Sequence, residues 1–149
     1  MAGGAGRGGS AVGYAGDLQP VEAWRVIEAE ATARLVDVRT SSEWAYVGLP
    51  DLTRLGKKPD LISWQVYPAM SVNQTFEQDL TEASIAREDA IVFLCRSGAR
   101  SKAAAIAMTE RGFARCYNLA DGFEGPLDDA GHRGAKAGWK AAGLPWTQT

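Results

Sequence analysis

The apolar run Ala90-Ile91-Val92-Phe93-Leu94 ends on Cys95, and an alanine-rich helical pattern takes over from about Ala99 to Arg111, with Gly112 as its stop. The pattern reads as a buried strand, a tight loop and a helix. Such a unit aims unpaired backbone N–H groups and the positive end of a helix dipole at whatever sits at the strand end. Here that group is a sulfur. The loop is Cys95-Arg96-Ser97-Gly98-Ala99-Arg100-Ser101.

The residues around the sulfur suit an anion. A free cysteine titrates at about 8.5, and a helix N-terminus contributes up to roughly 2 kcal/mol, which lowers the pKa by about 1.5 units. Arg96 and Arg100 add positive charge to the same loop, so the sequence predicts that Cys95 is mostly thiolate at neutral pH. Gly98 lets the backbone turn with positive φ. A lone cysteine at a strand end is usually a small buried hydrophobe. Two arginines beside a core strand favour the other reading, because they are costly to place there without an anion to meet.

Three further runs read as strands: Arg34 to Val38, Leu61 to Val66 and Arg115 to Leu119. Helical patterns alternate with them. Asp17 to Glu28 has Pro20 in its first turn and Val21, Trp24 and Ile27 or Glu28 at helical spacing. Thr40 and Glu43 form a capping-box spacing for a short helix through Val47, with Trp44 and Tyr46 on different sides. Asn73 to Leu80 takes Asn73 as cap and turns Phe76 and Leu80 inward. For the helix after Cys95, one register aligns Ala103, Ile106, Ala107 and Glu110, with Ala104 and Met108 beside it. Alternation of strand and helix predicts an α/β fold with a parallel sheet flanked by helices on both faces.

Asp37 and Arg39, at a strand end, read as buried hydrogen-bonding groups that hold neighbouring loops. Trp24 and Trp64 read as core residues, and Cys116, with no glycine and arginine loop after it, as a buried thiol rather than a resolving one. The lysines and proline of the 51–60 run suggest a solvated excursion. The 127–137 segment holds the single histidine, His132, which reads as exposed, although His132 and Arg133 have the chemistry to reach over the loop as substrate contacts or a proton donor.

Length and charge exclude several classes. A chain of 149 residues suits one domain, 17–149, preceded by a glycine-rich tail, 1–16, with too little apolar surface to order itself. A net charge of −2 with mixed signs offers no basic face for nucleic acid or anionic lipid. No segment has the length of a membrane span or the apolar core of a signal peptide. Two cysteines and one histidine make neither a disulfide framework nor a closed metal site, so neither metal nor cofactor is expected, and a soluble cytoplasmic protein is.

The loop resembles that of the rhodanese-like sulfurtransferases, whose pattern Cys-Arg-x-Gly-x-Arg-Ser is matched at every fixed position from Cys95 to Ser101. Asp37-Val38-Arg39 and the closing Trp139-Lys140-Ala141-Ala142-Gly143-Leu144-Pro145 are similar to the same family. Two departures stand out: Gly48-Leu49-Pro50 occurs where many members read Gly-His-Ile-Pro, and Asp121-Gly122-Phe123-Glu124-Gly125-Pro126 occupies the place where relatives carry Gly-Gly. The resemblance, over roughly Leu18 to Pro145, implies a rhodanese fold of the single-domain thiosulfate sulfurtransferase kind. It implies that Cys95 takes a sulfane sulfur from a thiosulfate-like donor, holds it as a persulfide against the amides of residues 96–101, and passes it to a thiol or cyanide acceptor. A protein sulfur donor is a further implied partner.

Two other readings compete. The same cradle suits a non-catalytic persulfide carrier or binding module. A phosphatase or arsenate reductase of the same fold is disfavoured, because tyrosine phosphatases place the arginine six positions after the cysteine and this loop places Arg100 five after, a tighter ring than a phosphoryl group needs.

Overall fold

The computed structural model describes residues 13–148. At its centre, five parallel strands stand in the order β1 (Gly16–Leu18), β8 (Arg115–Leu119), β7 (Ala90–Leu94), β2 (Arg34–Asp37) and β4 (Asp60–Leu61). The helices are α1 (Pro20–Ala29), α2 (Ser41–Tyr46), α3 (Phe76–Glu82) and α4 (Ala99–Glu110). Two small antiparallel pairs lie outside the sheet: β3 (Leu49–Pro50) with β9 (Trp146–Thr147), and β5 (Gln65–Val66) with β6 (Ser71–Val72).

Strand β7 is paired on both edges and covered on both faces, so all five of its residues are buried. Its side chains alternate between two cores, which is why its sequence shows no polar alternation. Ile91 and Phe93, with Val36 of β2, face Phe76 and Leu80 of α3 and Ala104, Ala105 and Met108 of α4. Val92 and Leu94, with Leu35, face Ala23 and Ile27 of α1 together with Leu52, Phe123 and Trp139. Helices therefore cover both faces of the parallel sheet, as the alternation of elements predicts.

Several boundaries differ from the sequence reading. Asp17 belongs to β1, an edge strand registered on Asn118, and the helix begins only at Pro20, where a missing N–H costs nothing. Its inward face is Pro20, Ala23 and Ile27, while Val21 is exposed and Trp24 leans on Trp139 at 5.9 Å between ring centroids. Leu61 to Val66 is not one strand. Only Asp60–Leu61 joins the sheet, because β2 ends when Arg39 turns back onto Asp37, and the chain crosses the strand ends through the bonds of Ile62 N–H to Asp37 O and Trp64 N–H to Val38 O. Trp64 packs edge-on against Phe76 at 5.1 Å, a core role.

Asn73 caps from outside: its Oδ1 accepts from Thr75 N–H, α3 starts at Phe76, and Phe76 and Leu80 point inward. In α4 the buried stripe is Ser101, Ala104, Ala105 and Met108, two positions away from the predicted Ala103, Ile106, Ala107 and Glu110 and so nearly on the opposite face, although Ala104 and Met108, expected beside that register, are in it. Alanine on every side of a helix hides its inward face, and only packing on β7 and β8 selects it. The 51–60 run is not simply solvated. Leu52 is buried, and Lys57 Nζ donates to the carbonyls of Ile27, Glu30 and Ala33 at 2.6–3.0 Å, closing the C-terminal end of α1.

Of the tail expected over 1–16, residues 1–12 lie outside the described residues. The packed chain starts before Asp17, since Tyr14 is buried in the α3–α4 core and Ala15 N–H donates to Cys116 O.

Candidate active site

Cys95 follows β7 directly, at the carboxyl ends of the parallel strands where ligands of open α/β sheets sit. Its side chain is only 1% exposed, so the thiol is the floor of the site and Arg96, Ser97 and Ala99 are its exposed rim. Gly98 takes φ +114°, which a residue with a Cβ rarely adopts, and this turn carries Gly98 N–H to 3.1 Å from Cys95 Sγ, to which it donates. Ser101 Oγ lies 3.1 Å from the same sulfur on the first turn of α4. Among the described residues the N–H groups of Arg96, Ser97, Ala99, Arg100 and Ser101 have no hydrogen-bond acceptor. They form the donor set that the sequence places around the sulfur.

The two arginines behave differently. Arg96 is exposed, and its guanidinium makes no hydrogen bond or ion pair among the described residues. Its carbonyl is held by the N–H groups of Glu124 and Gly125. Arg100 is clamped by Glu43 of α2, with Nη1 and Nη2 donating to the two carboxylate oxygens at 2.7 and 2.9 Å. The Glu43 hydrogen bonds hold the Arg100 guanidinium above its usual range, and the nearby Cys95 and Asp37 charges act the same way. Burial pushes the Glu43 carboxyl up, but the Arg100 bonds and charge and the Thr40 groups outweigh it and hold it below the ordinary carboxylate value. Glu43 was legible only as a helix cap, a role it keeps by accepting from Thr40 N–H and Oγ1.

Behind the site the expected structural groups are in place. Asp37 and Arg39 form a fully buried pair, with Arg39 Nε and Nη2 donating at 2.9 and 2.7 Å. Arg39 also donates to Gly48 O and stacks on the Phe123 ring, 4.4 Å from its centroid. Gly122 is the glycine the site cannot lose. A Cβ there would lie 2.4 Å from Cys95 O and 2.6 Å from Arg96 O, because the 121–125 turn is bonded to the loop through Phe123 N–H and Cys95 O.

Asp121, just before Gly122, takes φ +63°, in the left-handed region. Cys116 is fully buried, and burial pushes its thiol up to about 12. His132 is exposed, and Arg133 donates to Gly125 O, at the end of the 121–125 turn. The sequence reading missed Asn118, the one polar side chain of β8 that is buried, 4% exposed, and that meets Ser101 Oγ. Its signal was a polar residue inside a buried strand.

Among the described residues no group of His, Cys, Asp or Glu could hold a metal ion, and no helix is long and apolar enough to cross a membrane.

Known proteins place this geometry. The family model described as STR4 middle domain matches residues 18–149. The uncharacterized protein RP600 homolog of Rickettsia rickettsii is 40% identical over 126 residues, covering 84% of this chain and 91% of that one. The thiosulfate sulfurtransferase GlpE of Actinobacillus pleuropneumoniae is 26% identical over 129 residues, covering 87% and 90%. Rv0390 from M. tuberculosis superposes with a TM-score of 0.83 at 46% identity, covering 91% and 99%. The polysulfide-sulfur transferase homodimer of Wolinella succinogenes shares the fold alone, with a TM-score of 0.59 at 21% identity over 89% and 78%. The fold is rhodanese-like, and the chain, matched from Leu18 to its last residue, belongs to the STR4 middle domain family.

Proposed function

We propose that the protein is a sulfurtransferase that carries a sulfane sulfur on Cys95. The observation that carries this reading is the sulfur itself: Cys95 Sγ, at the end of the central strand, receives the Gly98 N–H at 3.1 Å beneath a loop whose remaining N–H groups have no acceptor. Relatives named as sulfurtransferases support the class. With a thiosulfate-like donor, the thiolate attacks the sulfane sulfur, an S–S bond forms to Cys95, and the bond to the sulfonate sulfur breaks. Sulfite leaves with the electron pair. The outer sulfur of the persulfide then carries the negative charge, within reach of the loop amides and the guanidinium of Arg100. A thiolate or cyanide acceptor attacks that outer sulfur, and Cys95 departs as thiolate, so charge and atoms balance over the two steps.

A carrier reading rests on the same loop, because holding a persulfide for a partner needs the same donors as turning it over. Intact-protein mass spectrometry tests both. A mass gain of one sulfur, mapped to Cys95 after thiosulfate and lost on adding cyanide, supports the enzyme. Loading only from a persulfidated protein supports the carrier, and loading from neither source defeats both.

A further inference from the structure

A line of polar groups runs from the site across β8 to the edge strand β1, and the proposed reaction uses none of them beyond Ser101. Ser101 Oγ is 2.5 Å from Asn118 Oδ1, Asn118 Nδ2 donates to Asp17 Oδ1 at 3.0 Å, and Tyr14 Oη donates to the same oxygen at 2.8 Å. Ser101, Asn118 and Tyr14 are buried, while Asp17 reaches solvent.

Donor and acceptor rules give this line a direction. An ionised carboxylate only accepts, so the Asn118 amide must turn its NH₂ toward Asp17. Burial, reinforced by the bond to Asp17, pushes the Tyr14 phenol up to about 12, so it too stays a donor. Asn118 Oδ1 therefore faces Ser101, and as an amide oxygen it only accepts. The one proton of the Ser101 hydroxyl is drawn to it. That proton cannot also be given to Cys95 Sγ at 3.1 Å or to Gly98 O at 3.3 Å.

We infer that Asn118 and Asp17 are positioning residues for Cys95: they hold the Ser101 hydroxyl proton away from the sulfur, so Ser101 meets Sγ as an acceptor and favours the resting thiol over the thiolate. This opposes the helix dipole and the arginines, which favour the thiolate. If the proposed sulfur transfer holds, the loaded form escapes the opposition, because its charge sits on the outer sulfur and the bridging Sγ is neutral. The line then biases Cys95 toward the loaded state.

Other charged groups surround Cys95. Arg100 with Glu43 comes from α4 and α2, Asp37 with Arg39 from the end of β2, Arg96 from the loop, Asp121 and Glu124 from the turn over it, and Asp17 from β1. The substitution Asn118→Leu removes none of these charges and takes from them only the amide bond to Asp17.

The test is the rate of Cys95 alkylation by iodoacetamide against pH, read on the Cys95 peptide by mass spectrometry, which does not depend on sulfur transfer. The expected result for Asn118→Leu is a midpoint lower by about 0.5 to 1 pH unit, as Ser101 becomes free to donate to the thiolate. The fall disappears in the double variant with Ser101→Ala. An unchanged or raised midpoint in a folded Asn118→Leu protein, or a fall that persists without the serine hydroxyl, overturns the inference. Should Asn118→Leu fail to fold, Asp17→Asn serves. It releases the amide orientation, and only the part of its shift that vanishes with Ser101→Ala counts in favour; if none vanishes, the inference is wrong.

Discussion

Glu43 shows how a single residue serves two elements. It closes the first turn of α2 through Thr40 and clamps Arg100 with both carboxylate oxygens, and its side chain is 20% exposed. In Glu43→Gln the charge opposing Arg100 is lost, and one oxygen becomes an amide that cannot accept. Sulfur loading of Cys95 is expected to slow by roughly tenfold, equivalent to about 1.4 kcal/mol, because the guanidinium no longer has a fixed position. The same pair predicts an acid effect. The Glu43 carboxyl is held below its ordinary value in the folded protein, so its contribution to stability is complete above the unfolded value and disappears as pH falls through the lowered one. Thermal melts recorded from neutral pH downward should therefore show a smaller loss of Tm for Glu43→Gln than for the parent protein. A parallel fall of the two would show that the clamp contributes nothing.

At the scale of an element, α1 has no basic residue in its last turn and takes its C-terminal closure from far along the chain. Lys57 reaches three carbonyls at its end, and burial, with the charge of Arg34, holds its ammonium below the usual lysine range. Replacing it in Lys57→Met keeps the aliphatic stem and leaves those carbonyls to water. A loss of about 1–2 kcal/mol in urea unfolding is expected, with the rate of sulfur loading unchanged because the contact lies at the opposite end of the sheet from Cys95. Helix α4 teaches a related lesson. Its alanines allow several faces to pack, so its sequence pattern pointed two residues away from the stripe that β7 and β8 select. By contrast, Phe76 and Leu80 of α3 have no apolar rivals on their helix, and their inward face was read correctly.

For the whole molecule, the decisive contact is the meeting of the 121–125 turn with the loop after β7. Gly122 lies against the carbonyls of Cys95 and Arg96, and Trp139 N–H returns to Gly122 O, so the chain's last third is fastened onto the site. Trp139 is fully buried and its Nε1 donates to Pro145 O at 2.7 Å, which seats the stretch leading into β9. In Gly122→Ala the added methyl meets backbone that cannot rotate away, and φ +64° is itself unfavourable for alanine. Both stability and sulfur loading are expected to fall, the first by about 2–4 kcal/mol. A variant with parental Tm and parental loading would contradict this close approach.

How much was legible follows from the range of each interaction. The strand, loop and helix around Cys95, the capping pair Thr40 and Glu43, and the strands Arg34–Asp37, Ala90–Leu94 and Arg115–Leu119 rest on neighbouring residues, and the sequence by itself determined them. Apolar runs, a glycine needing positive φ and a side chain closing its own helix are local physics. Only the tertiary structure decided that Glu43 clamps Arg100, that Lys57 closes α1, and that the stretch after Leu61 crosses the strand ends. It also decided that Asn118 stands between Ser101 and Asp17. Each of those joins groups from about 17 to 101 positions apart, and which partner a polar group meets at that range is set by how two helical layers close on one sheet.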